Sequence, residues 1–208
     1  MRQVIRIDEN DKRYEAMVRE AKEAMLTLDN TSIVARGVEN RKQNIEPIAE
    51  IGDIAFYAVH ETQGAFVYTN VVTDELIKAA TQNTVNGARI KNVELLLSEM
   101  MEGGATGMTI DEWYPNPIFP ALYALTNEKA MNGAGILFCD EVLHRIWEKM
   151  GDYYILPSSV HELLITEATQ EELQKDALEA MVREVNATQV SPEERLSNRV
   201  FFYDGKLN

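Results

Sequence analysis

Residues 153–166 read Tyr-Tyr-Ile-Leu-Pro-Ser-Ser-Val-His-Glu-Leu-Leu-Ile-Thr, two short apolar runs separated by six residues that begin with proline. The runs contain aromatic and β-branched side chains, which favour strands. Proline and serine between them interrupt regular structure. The pattern therefore predicts two strands, Tyr153–Leu156 and Leu163–Thr166, joined by an irregular connection.

Similar apolar runs recur along the chain and predict further strands. The others are Ile54–Val59, Ala65–Tyr68, Ala121–Leu125, Ala134–Phe138 and Val200–Tyr203. Gln63-Gly64 and Asn132-Gly133 stand between neighbouring runs and predict tight turns. Ser32–Val38 predicts a short extended or irregular piece.

Helices are predicted where apolar residues recur at steps of three and four. They cover residues 12–28, the stretch after a Thr73 cap, a stretch from Asn92 to Gly103-Gly104, Asp140 to Gly151, the stretch after a Thr169/Glu172 capping box, and a short piece at Ser191-Pro192-Glu193-Glu194. In the helix after Thr169, the spacing predicts an inward face of Leu173, Ala177, Met181 and Val185. Paired strands with helices between them predict an α+β fold, a mixed and mostly antiparallel sheet with helices packed on it.

The domain organisation follows from the same pattern. Residues 1–30 are predicted to form an N-terminal helical arm, and residues 31–208 a single α+β domain. Residues 103–120 hold three glycines and three prolines and predict a connector within that domain. Because Trp113, Ile118 and Phe119 interrupt the connector, we expect them to pack against the body.

The charge balance argues against several kinds of partner. The net charge is −14, and residues 51–208 carry most of it, with twenty-four acidic against eleven basic side chains. Nucleic-acid binding normally requires clustered Lys and Arg, which replace counterions along the phosphates. We therefore expect no direct binding to a nucleic-acid backbone.

The apolar runs are far shorter than the roughly 20 residues that span a bilayer, and the first residues lack a signal-peptide pattern. We therefore expect a cytoplasmic protein without membrane contact.

The strongest candidate for a binding or site region is the connection in the opening stretch. Ser158, Ser159, His161 and Glu162 place two hydroxyls, an imidazole and a carboxylate within five positions. A nucleophile, a base and an orienting acid are the components of acyl transfer. Neighbours on an extended chain point to opposite faces, however, so Ser159 and His161 can share a face while Glu162 points away. A turn whose hydroxyls satisfy backbone groups explains the same residues, and catalytic residues stay unassigned.

No metal or cofactor is expected. The chain has three histidines and one cysteine, too few for a dedicated zinc site. Glu141, His144 and Glu148 share one face of the predicted 140–150 helix, but that face opposes the apolar stripe and is predicted to be solvated. Cys139 follows an apolar run and is predicted to be buried and unreactive.

A series of short motifs carries a family resemblance. They are Ile51–Ala55, Asp74–Leu76, Asn83-Thr84, Tyr123–Asn127, Asn132–Ala134, Tyr154–Glu162, Val185–Val190 and Tyr203-Asp204. Their order and spacing over roughly residues 35–208 resemble the C-terminal part of a bacterial domain-of-unknown-function family, the one numbered five-six-eight-eight. The resemblance implies no particular activity, ligand or catalytic residue, because none is established for the family. Its members usually carry a longer region before this part, and residues 1–30 look like a shortened or replaced version of it.

These observations favour a protein-interaction or ligand-binding module without catalytic activity. A defined protein partner is possible for such a module. The alternative is a hydrolase or transferase that uses the Ser158-Ser159-Val160-His161-Glu162 segment. A third reading, an acidic decoy for nucleic-acid-binding proteins, requires carboxylates in two rows at duplex spacing.

Overall fold

A computed structural model describes residues 28–62, 65–69, 72–93, 107–116, 121–157, 159–168 and 174–208. Several predictions from the sequence lie outside these residues: the 12–28 helix, the helix after Val93, Ser158, the Thr169/Glu172 capping box, and parts of the 103–120 connector. Within the connector, Trp113 is 3% exposed and meets Tyr123 edge-on, with ring centroids 5.0 Å apart. The expectation that Trp113 packs against the body is confirmed.

The first sheet has four strands arranged around a central one. They are β1 (Thr31–Gly37), β2 (Ala49–Ile51), β3 (Ile54–Thr62) and β4 (Ala65–Tyr68). β1 pairs with β3 along its length, and β2 and β4 share the opposite edge of β3. Phe56 faces the main core while Tyr57 faces a second apolar cluster. Burial on both faces explains why Ile54–Val59 is continuously apolar instead of alternating, and the predicted hairpin with β4 is confirmed.

The second sheet has six strands. They are β5 (Ala88–Asn92), β6 (Met108–Thr109), β7 (Leu122–Asn127), β8 (Tyr153–Leu156), β9 (Leu163–Glu167) and β10 (Phe201–Tyr203), in the order β10-β8-β9-β7-β5-β6. Every strand pair among the described residues is antiparallel. The two runs of the opening stretch pair with each other, from Tyr153 with Glu167 to Leu156 with Leu164. Together with the helices, the antiparallel sheets confirm an α+β fold.

Three α-helices pack on the sheets within the described part of the chain: α1 (Asp74–Gly87), α2 (Asp140–Met150) and α3 (Gln174–Thr188). Thr73 caps α1 as predicted, since its Oγ1 accepts a hydrogen bond from the Leu76 backbone N–H at 3.2 Å. α2 ends at Gly151, as predicted. None of the described helices is both long and apolar enough to cross a membrane.

The run Ala134–Phe138 is a 3-10 helix over Gly133–Phe138, so the predicted strand there is wrong. The segment is buried on all sides from Gly133 to Leu137, and periodicity cannot distinguish a short buried strand from a short buried helical turn. Asn132 precedes it in the left-handed conformation, with φ 53° and ψ 30°, and turns the chain away from β7.

Two smaller predictions are wrong, and one strand was not predicted. The strand β5 was not predicted, and Asn92 is its last residue, with helical geometry beginning at Val93. The predicted inward face of α3 is wrong, because Met181 is 38% exposed while Val182 is only 2% exposed. The helix packs through Leu178 and Val182 onto the cluster around Leu156. Ser191–Glu194 forms one hydrogen-bonded turn instead of a short helix.

Candidate functional site

The predicted site segment joins β8 to β9 and is held against the stretch before β10. The Ser197 N–H donates to the Pro157 carbonyl at 2.9 Å, and the Val160 N–H donates to the Glu194 carbonyl at 2.9 Å. Between these two bonds, Ser159 forms an isolated antiparallel bridge with Arg195. The segment is therefore a short, fixed extension of the second sheet.

Ser159 is 7% exposed, and its Oγ accepts a hydrogen bond from the backbone N–H of His161 at 3.0 Å. This local side-chain-to-backbone bond is the arrangement that serine adopts in turns. The hydroxyl oxygen therefore serves the backbone of His161, and the structure gives no contact between it and the imidazole ring. Ser158 lies outside the described residues.

Both ring nitrogens of His161 have partners. Nδ1 accepts a hydrogen bond from the Asn132 N–H at 3.2 Å, and Nε2 lies 3.3 Å from Oε1 of Glu194. Because Nδ1 accepts, the neutral ring carries its hydrogen on Nε2 and donates it to the carboxylate. The side chain is 30% exposed, so one edge of the imidazole reaches solvent.

The carboxylate beside His161 comes from Glu194 and not from Glu162. The Ser191 hydroxyl donates to Oε2 of Glu194 at 2.8 Å. This bond, followed by that from His161, holds the pKa of Glu194 below its ordinary value. A Ser–Glu–His chain of contacts thus exists in the folded protein, but its serine contacts the acid instead of the base, which differs from the order that a nucleophilic triad requires.

Asn132 connects His161 to the first sheet. Its backbone N–H is bound to the ring, and its side-chain Oδ1 accepts a hydrogen bond from Arg36 Nη1 at 2.8 Å. The same Arg36 nitrogen donates to the Ala35 carbonyl at 2.7 Å. Asn132 is 9% exposed, so its conformation is fixed from both sheets at once.

Asn132 also lines a cleft of about 840 Å³ between the first sheet, the end of α1 and the turn after β7. We call it the asparagine-lined cleft, because Asn30, Asn83, Asn86, Asn127 and Asn132 lie along it. Its other lining residues are Asp29, Thr31, Ser32, Ile33, Glu61, Thr62, Phe66, Thr84, Gly87, Glu128, Lys129, Gly133 and Ile136. Its walls are the end of α1, the start of β1, the end of β3 with Phe66 of β4, and the turn after β7.

Two side chains of α1 complete the edge of β1 beside the cleft. The Asn83 side-chain amide donates to the Thr31 carbonyl at 3.0 Å and to the Leu28 carbonyl at 2.9 Å. The Thr84 hydroxyl accepts from the Ile33 N–H at 2.9 Å and donates to the Ala80 carbonyl at 2.8 Å. A strand edge left unpaired costs free energy and invites pairing with other chains. The side chains of Asn83 and Thr84 therefore hold the edge of β1 in place at the wall of the cleft.

Two glycines let the 3-10 segment approach the wall closely. A Cβ atom at Gly135 would overlap the Ile33 carbonyl oxygen, and one at Gly133 would lie 2.7 Å from the His161 carbonyl oxygen. The Gly133 N–H donates to that same carbonyl at 3.0 Å. Since only glycine allows such approach of two backbones, these positions set the distance between the sheets and hence the shape of the cleft.

The cleft is polar and slightly acidic. Among the described residues, Asp29, Glu61 and Glu128 line it against a single lysine, Lys129. Lys129 forms an ion pair with Glu61, and Glu128 forms one with Arg89. Three carboxylates and one ammonium leave a lining that disfavours anions.

Other reactive side chains lie apart from both regions. Burial raises the pKa of the Cys139 thiol to about 12, so at neutral pH it is protonated and a poor nucleophile. His144 lies half-buried on α2, with its ring 5.2 Å from that of Trp147. Among the residues that the structure describes, no group of three or more His, Cys, Asp or Glu side chains is placed to hold a metal ion.

The sequence located part of this arrangement. It singled out Ser159, His161 and Glu162, but not Glu194, which reaches the imidazole from 33 positions later. The motif from Ser191 to Glu194 was visible in the sequence, while nothing there linked it to His161. The cleft was missed as well, although Asn83-Thr84, Asn127 and Asn132-Gly133 belong to the motifs that carry the family resemblance. Single asparagines on separate elements give no local signal of a shared cavity.

The comparisons with known proteins agree with this resemblance. No curated protein and no solved structure shows a significant match to the chain. The model of a family of unknown function, DUF5688, matches residues 53–205, so the match begins later than the sequence motifs suggested. It includes His161, Glu194 and most of the cleft, whereas Asp29–Ile33 precede it. Because the match covers well over half of the 208 residues, the chain belongs to the DUF5688 family.

Proposed function

We propose that this protein is a cytoplasmic module without catalytic activity that binds a small, neutral, polar molecule in the asparagine-lined cleft. The observation that carries the proposal is the cleft itself. Its volume of about 840 Å³ lies within the range of ligand sites, roughly 300–1,000 Å³. Its lining combines side-chain amides and hydroxyls with apolar patches at Ile33, Phe66 and Ile136. Ligand sites commonly combine apolar walls with polar groups that fix the orientation of the ligand, and the larger polar share of this lining favours a polar ligand.

The charges around the cleft favour a neutral ligand with several hydroxyl or amide groups. An anion would meet the carboxylates of Asp29, Glu61 and Glu128, in a chain whose net charge is −14. Lys129, the one cation among the described lining residues, is already paired with Glu61. Amides both donate and accept hydrogen bonds, so the asparagines suit a molecule that presents both kinds of group.

A small ligand has more support than a protein partner. Protein interfaces are marked by contiguous apolar patches with aromatic anchors. The exposed large hydrophobic residues in the described part of the chain are Val38, Val72, Met108, Tyr114 and Met181, which lie on different elements. The concave, polar cleft is therefore the better candidate for recognition.

The binding test uses neutral sugars as probes, with N-acetylglucosamine and glucose titrated against the purified chain and citrate as the anionic comparison. A molecule that binds only the folded state raises the midpoint of thermal unfolding with concentration. We expect a saturable rise with at least one neutral sugar, and a smaller rise or none with citrate. A rise with citrate that matches or exceeds that with the sugars would contradict the proposed ligand class, and no response to any probe would contradict the proposal.

A matched pair of variants locates the binding. Gln82 Nε2 donates to Asn86 Oδ1 at 3.1 Å on the exposed side of α1, but only Asn86 lines the cleft. Asn86→Ala and Gln82→Ala remove the same hydrogen bond. We expect Asn86→Ala to weaken sugar binding several-fold and Gln82→Ala to leave it unchanged. Equal sugar affinities of the two variants would show that the sugar binds outside the cleft.

The alternative, a hydrolase or transferase that uses the Ser158-Ser159-Val160-His161-Glu162 segment, makes a different prediction. It requires turnover of a simple substrate such as p-nitrophenyl acetate or p-nitrophenyl phosphate, and loss of that turnover in a folded His161→Ala variant. The partners on both ring nitrogens of His161 favour the binding proposal, because a general base needs a nitrogen free to accept the proton of its nucleophile. Turnover that disappears in folded His161→Ala would overturn the non-catalytic assignment.

A further inference from the structure

A second cavity of about 350 Å³ lies at the opposite end of β1 from the asparagine-lined cleft, between the C-terminal end of that strand and helix α3. It shares no lining residue with the asparagine-lined cleft. Its polar and charged lining includes Glu39, Asp53, Arg183, Asn186, Arg195 and Ser197. Four separate parts of the chain therefore build its walls.

Asn186 is the central polar residue of this cavity. It is 3% exposed, and its side-chain Nδ2 donates to the Ser197 carbonyl at 2.9 Å and to Asn198 Oδ1 at 2.8 Å. These two acceptors fix which atom of the amide is the nitrogen. The remaining atom, Oδ1, is buried and has no hydrogen-bond partner among the residues that the structure describes. Buried acceptors are normally satisfied, so a donor from a bound molecule would complete this amide.

Two arginines add positive charge to the same cavity. The Arg183 side chain is 55% exposed and lies 3.4 Å from Glu179 on its own helix, and Arg195 uses its Nε to donate to the Val190 carbonyl at 3.1 Å. Guanidinium groups bind carboxylates through paired N–H donors. Asp53 and Glu39 also line the cavity, and Asp53 accepts a hydrogen bond from the Ser197 hydroxyl at 2.7 Å. The lining thus carries both positive and negative charges. It favours a molecule with a carboxylate and a hydrogen-bond donor, and it favours such a molecule over a simple anion.

We propose that this second cavity binds a small carboxylate that also bears an N–H donor, as a free amino acid or the carboxyl end of a peptide does. The carboxylate would lie at Arg183 and Arg195, and the N–H would approach Asn186 Oδ1. The cavity volume is near the lower end of the range for ligand sites, which suits a group of this size.

The test titrates the isotope-labelled chain with alanine, N-acetylalanine and acetate and follows the side-chain amide resonances of Asn186 and the Nε–H resonance of Arg195. We expect saturable shifts with alanine or N-acetylalanine, and binding of acetate at least ten-fold weaker. Tighter binding of alanine identifies a free amino acid as the ligand, and tighter binding of N-acetylalanine identifies a peptide end. Acetate binding as tightly as both, or no saturable shift with any of the three at millimolar concentration, would overturn the proposal.

Three variants test whether the ligand binds in this cavity. Arg183→Gln removes an exposed cation and is expected to weaken binding at least ten-fold. Lys175→Gln on the same helix makes the same change of charge at an exposed position that does not line the cavity, and is expected to have no effect. Asn186→Leu removes the unpaired acceptor and is expected to abolish binding. If Asn186→Leu does not fold, the pair of α3 variants decides, because equal binding by Arg183→Gln and Lys175→Gln would refute the proposal.

Discussion

The backbone N–H of Asn132 donates a hydrogen bond to Nδ1 of His161 at 3.2 Å. This bond joins the connection between β8 and β9 to the turn that precedes the buried 3-10 segment. Asn132 holds a left-handed conformation with φ 53°, which costs free energy for a residue with a side chain. The imidazole and Arg36 together hold Asn132 in that conformation at the edge of the asparagine-lined cleft.

His161→Ala is expected to lower the free energy of unfolding by about 1–3 kcal/mol, because the nearly buried Asn132 N–H loses its acceptor. Urea denaturation measures the change. His144→Ala is the matched control, since His144 is half-buried on α2 and makes a ring contact with Trp147 instead of a hydrogen bond within the described residues. Equal losses in the two variants would show that the bond to Asn132 contributes little.

Thr84→Val is expected to destabilise the fold by about 1–3 kcal/mol more than Thr81→Val, because it leaves the Ile33 N–H without its acceptor. The comparison is close, since each threonine donates to the carbonyl four residues earlier on α1, Thr84 to Ala80 and Thr81 to Ile77. Only Thr84 also accepts from β1. Chemical denaturation of both variants measures the difference, and similar stabilities would mean that the edge of β1 needs no partner there.

Gly135→Ala is expected to lower the free energy of unfolding by about 1–3 kcal/mol or more, because the added methyl group would overlap the Ile33 carbonyl and force β1 away from the 3-10 segment. Gly87→Ala provides the control. A Cβ there meets nothing within 4 Å, so the change should be neutral or stabilising by up to about 1 kcal/mol. Denaturation midpoints report both effects. A Gly135→Ala protein as stable as the parent would show that the two elements can separate freely.

His60 makes the stability of the protein depend on pH. It is 2% exposed on β3, and its Nδ1 has no partner among the described residues. Burial lowers the pKa of His60 from its ordinary value of 6.5. As the pH falls, the unfolded chain therefore takes up a proton at His60 before the folded chain does. With respect to His60, the free energy of unfolding is greatest above about pH 6.5 and decreases as the pH falls below that value.

We expect the free energy of unfolding to depend more steeply on pH in the parent than in a His60→Leu variant. From about pH 7.5 to about pH 5.5, the parent should lose stability relative to His60→Leu by no more than about 1.4 kcal/mol per pH unit, the limit for one proton. Urea denaturation at each pH gives the comparison, with His144→Leu as a control for loss of a histidine. Parallel curves for the parent and His60→Leu would contradict the assignment of a buried neutral ring.

Local patterns were sufficient for the elements whose partners are near in sequence. The pair β8 and β9, the hairpin of β3 and β4, the Thr73 cap and the end of α2 at Gly151 all follow from periodicity, capping and turn chemistry. Where burial on all sides removed the periodicity of apolar residues, the prediction of secondary structure was wrong. Ala134–Phe138 is apolar because it is enclosed, and enclosure suits a strand and a 3-10 turn equally.

By itself, the sequence determined the α+β class, the antiparallel pairing of neighbouring strands and the family to which the chain belongs. Only the tertiary structure decided which carboxylate meets His161 and that five asparagines from separate elements share one cleft. It also decided that Asn186 is buried with an oxygen that has no partner in the described part of the chain. The physical reason is the range of the interactions. Propensity, capping and periodicity act over a few residues, whereas these contacts join positions far apart in the chain and depend on how closely the backbones at Gly135 and Ile33 approach.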